Sequence, residues 1–217
     1  MFMQDATSFR VAERIALSLH GLTLAGPNLR SDASGAGILA GSLVEAETGW
    51  RPVETLARGI RVATYDGGFR PLTGVGRRRL WPAAGIEVIH VPGGALDTCS
   101  GFDLLPGQHV FLASAVAEAV LGAEGALVPA SALAGHAGIT RRPLARPAEV
   151  ITLRFAGEEL VYANSGARVH CAAELPGARQ DAIGAGFFEV LDEDRARSML
   201  ALIAEGALTT AEIGRAA

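Results

Sequence analysis

Short β-strand patterns separated by turn residues fill the middle of the sequence, and they limit the possible folds more than any other feature. Residues 61–65 alternate between polar and apolar positions and are followed by Asp66-Gly67-Gly68, a typical hairpin turn. Residues 86–91 form another strand pattern, which ends at Pro92-Gly93-Gly94. Several short strands with such frequent turn signals favour an all-β domain.

Two later runs complete the β-rich region. Residues 150–155 and 159–162 are apolar enough to form strands, and Gly157 lies in the short connection between them. We therefore expect these two runs to pair as a second hairpin.

Helix signals are few and lie outside most of this region. Ser114 is a suitable N-cap for a short helix that ends at Leu121. Asp192 is a suitable N-cap for a C-terminal helix after a strand over residues 187–191, and Gly206 is a suitable residue to end it.

The chain is expected to have three parts: a leader and linker over residues 1–36, a β domain over residues 37–173, and a C-terminal extension with a helix over residues 174–217. The leader contains apolar residues with the spacing of one short amphipathic helix: Phe9, Val11, Ile15, Leu17, Leu19 and Leu22. This helix either docks on the core, which is the simpler interpretation, or holds a partner.

Composition and charge exclude several classes of protein. Hydrophobic residues make up 49% of the 217 residues and charged residues 19%, which is typical of a globular domain that folds without disulfides or a structural metal. The net charge of −4, with one short basic run at residues 77–79, argues against a nucleic-acid or membrane-surface binder. No apolar run is long enough to span a membrane, and the N-terminus lacks a cleavable signal pattern. We expect a cytoplasmic protein, with export without a cleaved signal as the alternative.

Four motif-bearing segments follow one another in the middle region. They are residues 41–66, with Gly41-Ser42, Gly49, Pro52-Val53, Leu56, Gly59 and Val62; residues 104–109, which read Leu-Leu-Pro-Gly-Gln-His; residues 127–133; and residues 160–171, with Ala163-Asn164 and His170-Cys171. In this order they resemble the Hint domain, the fold of Hedgehog and intein self-processing proteins, and in particular its bacterial subfamily.

The resemblance implies a horseshoe-shaped all-β fold and a self-cleavage chemistry. In that family a cysteine at the start of the domain attacks the preceding carbonyl in an N-to-S acyl shift. A histidine in the second motif protonates the leaving nitrogen, and a Thr or Ser three residues before it orients the peptide. In inteins a final histidine assists the cyclisation of an asparagine. Each step needs a nucleophile and a proton donor held together.

This sequence departs from the family pattern at most of the chemical positions. Gly37 stands where the cysteine belongs, and Pro106 stands where the Thr or Ser belongs. Cys171 follows His170 directly, so the terminal asparagine is missing. The two histidines remain, and with Ser42 the vestigial site consists of Gly37, Ser42, Pro106, His109, His170 and Cys171.

The pattern predicts an inactive relative of self-processing peptidases, a binding or structural module with an unidentified protein partner. No residue is assigned as catalytic, and no metal or cofactor is expected. Because Pro106 and Ile60 replace polar residues by apolar ones, we expect the space of the missing nucleophile to be packed shut.

Two alternatives stay open. An active peptidase would need another nucleophile, with Ser34, Ser42 and Cys171 as candidates. A metal-dependent hydrolase would need convergent ligands from Cys99, Cys171, His109 and His170. Trp50 and Trp81 are expected in the core or at an edge, and exposure of either would instead indicate a partner surface.

Overall fold

The computed structural model describes residues 35–82, 86–173 and 188–215, with side chains up to residue 206 in the last range. These ranges contain short strands and two α-helices, so the all-β class with helical additions is confirmed. The expected leader helix lies outside the described residues.

The strands are β1 (Ile38–Leu39), β2 (Leu43–Ala46), β3 (Gly49–Pro52), β4 (Arg61–Thr64), β5 (Gly68–Pro71), β6 (Gly74–Leu80), β7 (Glu87–Val91), β8 (Phe102–Leu104), β9 (His109–Ala113), β10 (Gly125–Pro129), β11 (Thr140–Pro143), β12 (Ala148–Arg154), β13 (Glu159–Ala163), β14 (Ala167–Cys171) and β15 (Glu189–Val190).

The strands form two sheets. The first has six strands in the order β11-β7-β8-β1-β12-β6, and every pairing in it is antiparallel. The second has nine strands, in the order β15-β10-β9-β14-β13-β2-β4-β5 with β3 paired to β2. The main core cluster takes residues from both sheets, such as Ile38 and Ile151 from the first and Val44 and Val169 from the second. The two sheets therefore share one core.

Of the two predicted hairpins, one is present and the other is not. β4 and β5 pair across the turn that contains Asp66 and Gly67, as the sequence predicts. The second hairpin is wrong: β12 pairs with β1 and β6 in the first sheet, whereas β13 pairs with β14, β2 and β4 in the second. The chain changes sheets between them at Phe155, whose side chain is fully buried. Burial of this aromatic side chain favours the crossover over a tight hairpin.

Both helix starts are confirmed. Helix α1 (Ala115–Leu121) is capped by Ser114, whose Oγ accepts a hydrogen bond from Ala117 N at 3.0 Å. Helix α2 (Glu193–Arg215) is capped by Asp192, whose Oδ1 accepts from Arg195 N at 2.8 Å. The predicted end at Gly206 is wrong, because α2 continues through it. One interior glycine costs a helix only about 1 kcal/mol, and good helix formers lie on both sides of it.

α2 contributes to the shared core rather than standing apart from it. Ala196, Met199 and Leu200 are buried in the main cluster, together with Leu191 just before the helix. Neither described helix has both the length and the apolar character needed to cross a membrane.

Candidate functional site

Gly37, where the resemblance places the nucleophile, lies at the entrance to β1, a strand between β8 and β12. Gly37 has φ +143°, a conformation that side-chain-bearing residues rarely adopt. A Cβ atom built there would lie 2.3 Å from Val150 Cγ1 and 3.3 Å from the carbonyl oxygen of Ile151. Both the backbone and the packing of β12 therefore exclude a side chain at residue 37.

The chain just before β1 lies against the second motif. The carbonyl of Gly37 accepts a hydrogen bond from Leu105 N at 3.0 Å, and that of Gly35 accepts from Gly107 N at 2.8 Å. The approach is close enough that a Cβ on Gly107 would lie 2.8 Å from Gly35 O. Residues 35–37 are thus bound to residues 105–107 through the backbone alone.

The carbonyl that a nucleophile at residue 37 would attack belongs to Ala36. Its oxygen accepts a hydrogen bond from Arg78 Nη2 at 3.4 Å. From the sequence, residues 77–79 were noted only as a short basic run, and this contact was not predicted. The sequence gives little indication of this contact, because Arg78 comes close to Ala36 only when β6 pairs with β12.

Pro106 makes a structural contact at the position of the orienting Thr or Ser. Its carbonyl accepts a hydrogen bond from Ser131 N at 2.9 Å. Proline has no side-chain donor and no N–H, so it cannot orient the Ala36–Gly37 peptide in the manner of a hydroxyl.

The two histidines are brought together by adjacent strands. His109 begins β9 and His170 lies in β14, and the two strands pair antiparallel. The ring centroids are 6.3 Å apart and the rings are nearly perpendicular. Gln108, which is buried, donates from Nε2 to the carbonyls of His170 at 2.8 Å and His109 at 3.0 Å. This amide fixes the spacing of the pair.

Burial determines the protonation of His109. Desolvation, with a smaller contribution from the nearby His170, lowers the pKa of His109 from 6.5 to about 4. The ring is therefore neutral at pH 7 and holds no proton for transfer as an imidazolium acid.

His170 faces a carboxylate that sequence reasoning missed. Its Nε2 lies 3.7 Å from Glu158 Oε1, and it has no hydrogen-bond partner among the described residues. The His170 side chain is only 13% exposed. The interaction with this ring lowers the pKa of Glu158, while burial opposes the change. Glu158 belongs to the connection between β13 and the strand before it, which the wrong hairpin prediction treated as a simple turn.

The candidate alternative nucleophiles are occupied or buried. Ser42 is buried, and its Oγ donates to the carbonyl of Leu39 at 2.8 Å. Cys171 is buried in the main core cluster, where desolvation and then the charge of Glu159 raise the pKa of its thiol far above the usual range. Its side chain thus faces away from the His170 side of β14. Ser34 lies outside the described residues.

Cys99 lies in a loop whose backbone is bonded to the β13–β14 turn. Its N–H donates to Asn164 O at 2.9 Å, and its thiol is exposed. Hydrogen bonding by Ser165, and then by Ser100, lowers the pKa of the thiol. Cys99 and Cys171 are both free cysteines. Among the residues that the structure describes, no three His, Cys, Asp or Glu side chains converge to hold a metal ion.

Asn164 is the buried polar residue that organises the fourth motif. Its Oδ1 accepts from Leu43 N at 2.9 Å, and its Nδ2 donates to Ser100 Oγ at 2.7 Å. It adopts φ +48°, and Ser165 after it adopts φ +88°. The Ala-Asn pair was part of the motif in the sequence, but its structural role depends on contacts with residues far away in the chain.

A family model described as "Hint domain" matches residues 36–169, which is more than half of the chain. The all-β fold and the four motifs define a Hint-type protein, and the chain belongs to the Hint-domain family.

Two solved structures are similar at low sequence identity. One is the AceL NrdHF class 3 split intein, a splice-inactive variant linked to glutathione: identity is 15%, coverage is 64% of this chain and 99% of that chain, and the TM-score is 0.44. The other is a bacterial intein-like domain from Clostridium thermocellum, with 16% identity, 62% and 97% coverage and a TM-score of 0.45. The search of curated proteins returned no match.

Proposed function

We propose that this chain is a Hint domain that does not cleave itself and that acts as a binding or structural module. The proposal rests on the conformation and packing of Gly37. Its φ of +143° disfavours any residue with a side chain, and the nearby Val150 side chain occupies the space that a Cβ atom would need. Without a nucleophile at this position, the acyl shift at the Ala36 carbonyl has no attacking group.

The surrounding groups support the same conclusion. Pro106 offers no hydrogen bond to the peptide, and His109 is neutral at pH 7 because of its lowered pKa. Ser42 donates its hydroxyl proton to a main-chain carbonyl, and the Cys171 thiol is kept protonated by burial. Restoring cleavage would require changes at several of these positions together.

Intact mass spectrometry of the purified full chain tests the loss of cleavage. We expect one species of 217 residues after prolonged incubation with a thiol at neutral and mildly alkaline pH, both for the natural chain and for Gly37→Cys. A thiol-dependent fragment of the natural chain that ends near residue 36 would contradict the proposal. Cleavage of Gly37→Cys alone would show that the rest of the site is competent.

Two exposed tryptophans support the binding role. Trp50 in β3 is 41% exposed and Trp81 after β6 is 62% exposed, so they are not core residues. Aromatic residues are enriched at protein interfaces.

Cross-linking in extracts of the source cells tests this role. We expect a protein partner to be recovered with the natural chain and to be lost with Trp50→Ser and Trp81→Ser. It should be retained with Arg58→Ser and Arg142→Ser, two exposed control positions. Retention of the partner by the tryptophan variants, or recovery of no partner by the natural chain, would contradict the binding role.

A further inference from the structure

Three strands of the six-stranded sheet are buried on both of their faces. Consecutive residues point to opposite faces of a strand, and in three strands both members of such a pair are buried. These pairs are Ile38 and Leu39 in β1, Val88 and Ile89 in β7, and Val150 and Ile151 in β12. One residue of each pair belongs to the main core shared with the second sheet.

The other residues form a separate apolar cluster, here called the outer cluster: Leu39, Val88, Leu105, Leu144 and Val150. Leu39 lies opposite Val150 in the antiparallel pairing, so the cluster runs across adjacent strands. Both described helices supply residues to the main core, and neither supplies one to the outer cluster. The members of the outer cluster are nevertheless buried, so neither described helix accounts for the burial of this face.

The chain that precedes the described residues enters the structure at this cluster. The carbonyl of Gly37 is bonded to Leu105 N, and Leu105 is a member of the cluster. The carbonyl of Ala36 is bonded to Arg78, which lies opposite Val150 in the pairing of β6 with β12. Residues 1–34 thus join the domain at the border of an apolar face.

Those 34 residues have the length and the pattern to cover it. Ile15, Leu19 and Leu22 are spaced four and three residues apart, which places them on one face of a helix. The strands from β7 to β12 span about 14 Å, a distance that about ten helical residues match. Residues 23–34, which include Gly26 and Pro27, are long enough to connect such a helix to Gly35.

We propose that the apolar residues of the leader pack on the outer cluster, so that the leader is a permanent layer of this domain. The proposal goes beyond the absence of self-cleavage. A segment joined to the domain by an uncleaved Ala36–Gly37 peptide, and docked beside that peptide, stays part of the folded protein.

Thiol labelling of the full chain tests the docking. Val88→Cys and Ile89→Cys, both in a Cys99→Ser background, place one probe on the outer face and one on the inner face. Each is combined with a leader variant, Ile15→Asp/Leu19→Asp, or with its charge-matched control at polar positions, Thr7→Asp/Ser18→Asp. We expect the apolar leader variant to accelerate labelling at residue 88 about tenfold or more through local opening, with no change at residue 89 and no effect of the control. An equal change at both probes, or no change at residue 88, would overturn the proposal.

A photo-cross-linking residue at position 9 distinguishes the occupants without perturbing the face. Cross-links within one chain to peptides of β1, β7 or β12 support docking of the leader. Cross-links to a second copy of the chain, or to surfaces of the nine-stranded sheet, would overturn it.

Discussion

The segment around Gly37 and the histidine pair at residues 109 and 170 are the two regions in which the sequence predicts a vestigial site, and they are held in place differently. Near Gly37, backbone hydrogen bonds hold residues 35 and 37 to residues 107 and 105. Around the histidines the polar rings persist in a partly buried place, with a lowered pKa on His109 and an unpartnered Nε2 on His170.

This difference teaches that the two regions are held by different interactions. The segment around Gly37 is held by close packing, which requires a residue without a side chain at position 37. The second is held by strand pairing and by Gln108, which donates to the main-chain carbonyls of both histidines. The following experiments test this contrast, beginning with the largest expected effect.

Gly37→Ala should destabilise the protein by about 2–5 kcal/mol, because it combines overpacking against Val150 with a strained φ. Urea unfolding measures the loss. Gly41→Ala is the matched control: its φ is +94°, but a Cβ there meets no atom within 4 Å, so only strain of about 1–2 kcal/mol should remain. Equal losses at the two positions would show that packing against Val150 is unimportant.

His109 should make stability depend on pH. Its folded pKa of about 4 lies below its usual 6.5, so the unfolded chain binds the proton more readily. The neutral His109 ring therefore contributes fully to the free energy of unfolding above pH 6.5. This contribution, up to about 3 kcal/mol, is lost as the pH falls toward 4. Urea unfolding at pH 7 and at pH 4.5 should show a smaller acid loss in His109→Asn than in the natural chain. An unchanged acid loss in the variant would assign the effect to other groups.

Gln108→Ala should cost about 1–2 kcal/mol, because it removes the donor that serves the main-chain carbonyls of both histidines. Thermal unfolding of the variant measures this cost. Gln108→Glu provides a second comparison, since it keeps the shape but removes the amide donor, and it should be no more stable than the alanine variant. Wild-type stability in either variant would mean that strand pairing alone holds the histidines in place.

The smallest effect concerns reactivity, with no change in fold. Native protein should react with a thiol reagent once per chain, at the exposed Cys99, because burial keeps the Cys171 thiol protonated and covered. Peptide mapping identifies the labelled residue, and labelling in denaturant supplies the control in which both react. Native labelling at Cys171 would indicate that this end of the site opens.

The elements that depend on residues close together in the sequence were predicted correctly. The β4–β5 hairpin and the helix caps at Ser114 and Asp192 follow from local turn and capping chemistry, and all three are present. The pairing of β12 with β13 was wrong because a short connection between two apolar runs also permits a crossover between sheets. Whether a hairpin or a crossover forms depends on where Phe155 is buried, which is a property of the whole core.

The candidate site shows the same division. The vestigial positions are a prediction from the sequence. Glu158 and Arg78 were not predicted beside them, because each reaches its partner, His170 or Ala36, only through strand pairing. Both tryptophans lie at sheet edges, Trp50 in β3 and Trp81 directly after β6, and their exposure excludes only the core alternative.

The sequence by itself determined the all-β class, the order of the Hint motifs and the absence of a cysteine at residue 37, because these depend on residue identity and on spacing along the chain. The tertiary structure decided that residue 37 has no space for a side chain and that His109 is neutral. Both depend on the folded chain: Val150 closes the space beside Gly37, and burial of the His109 ring lowers its pKa.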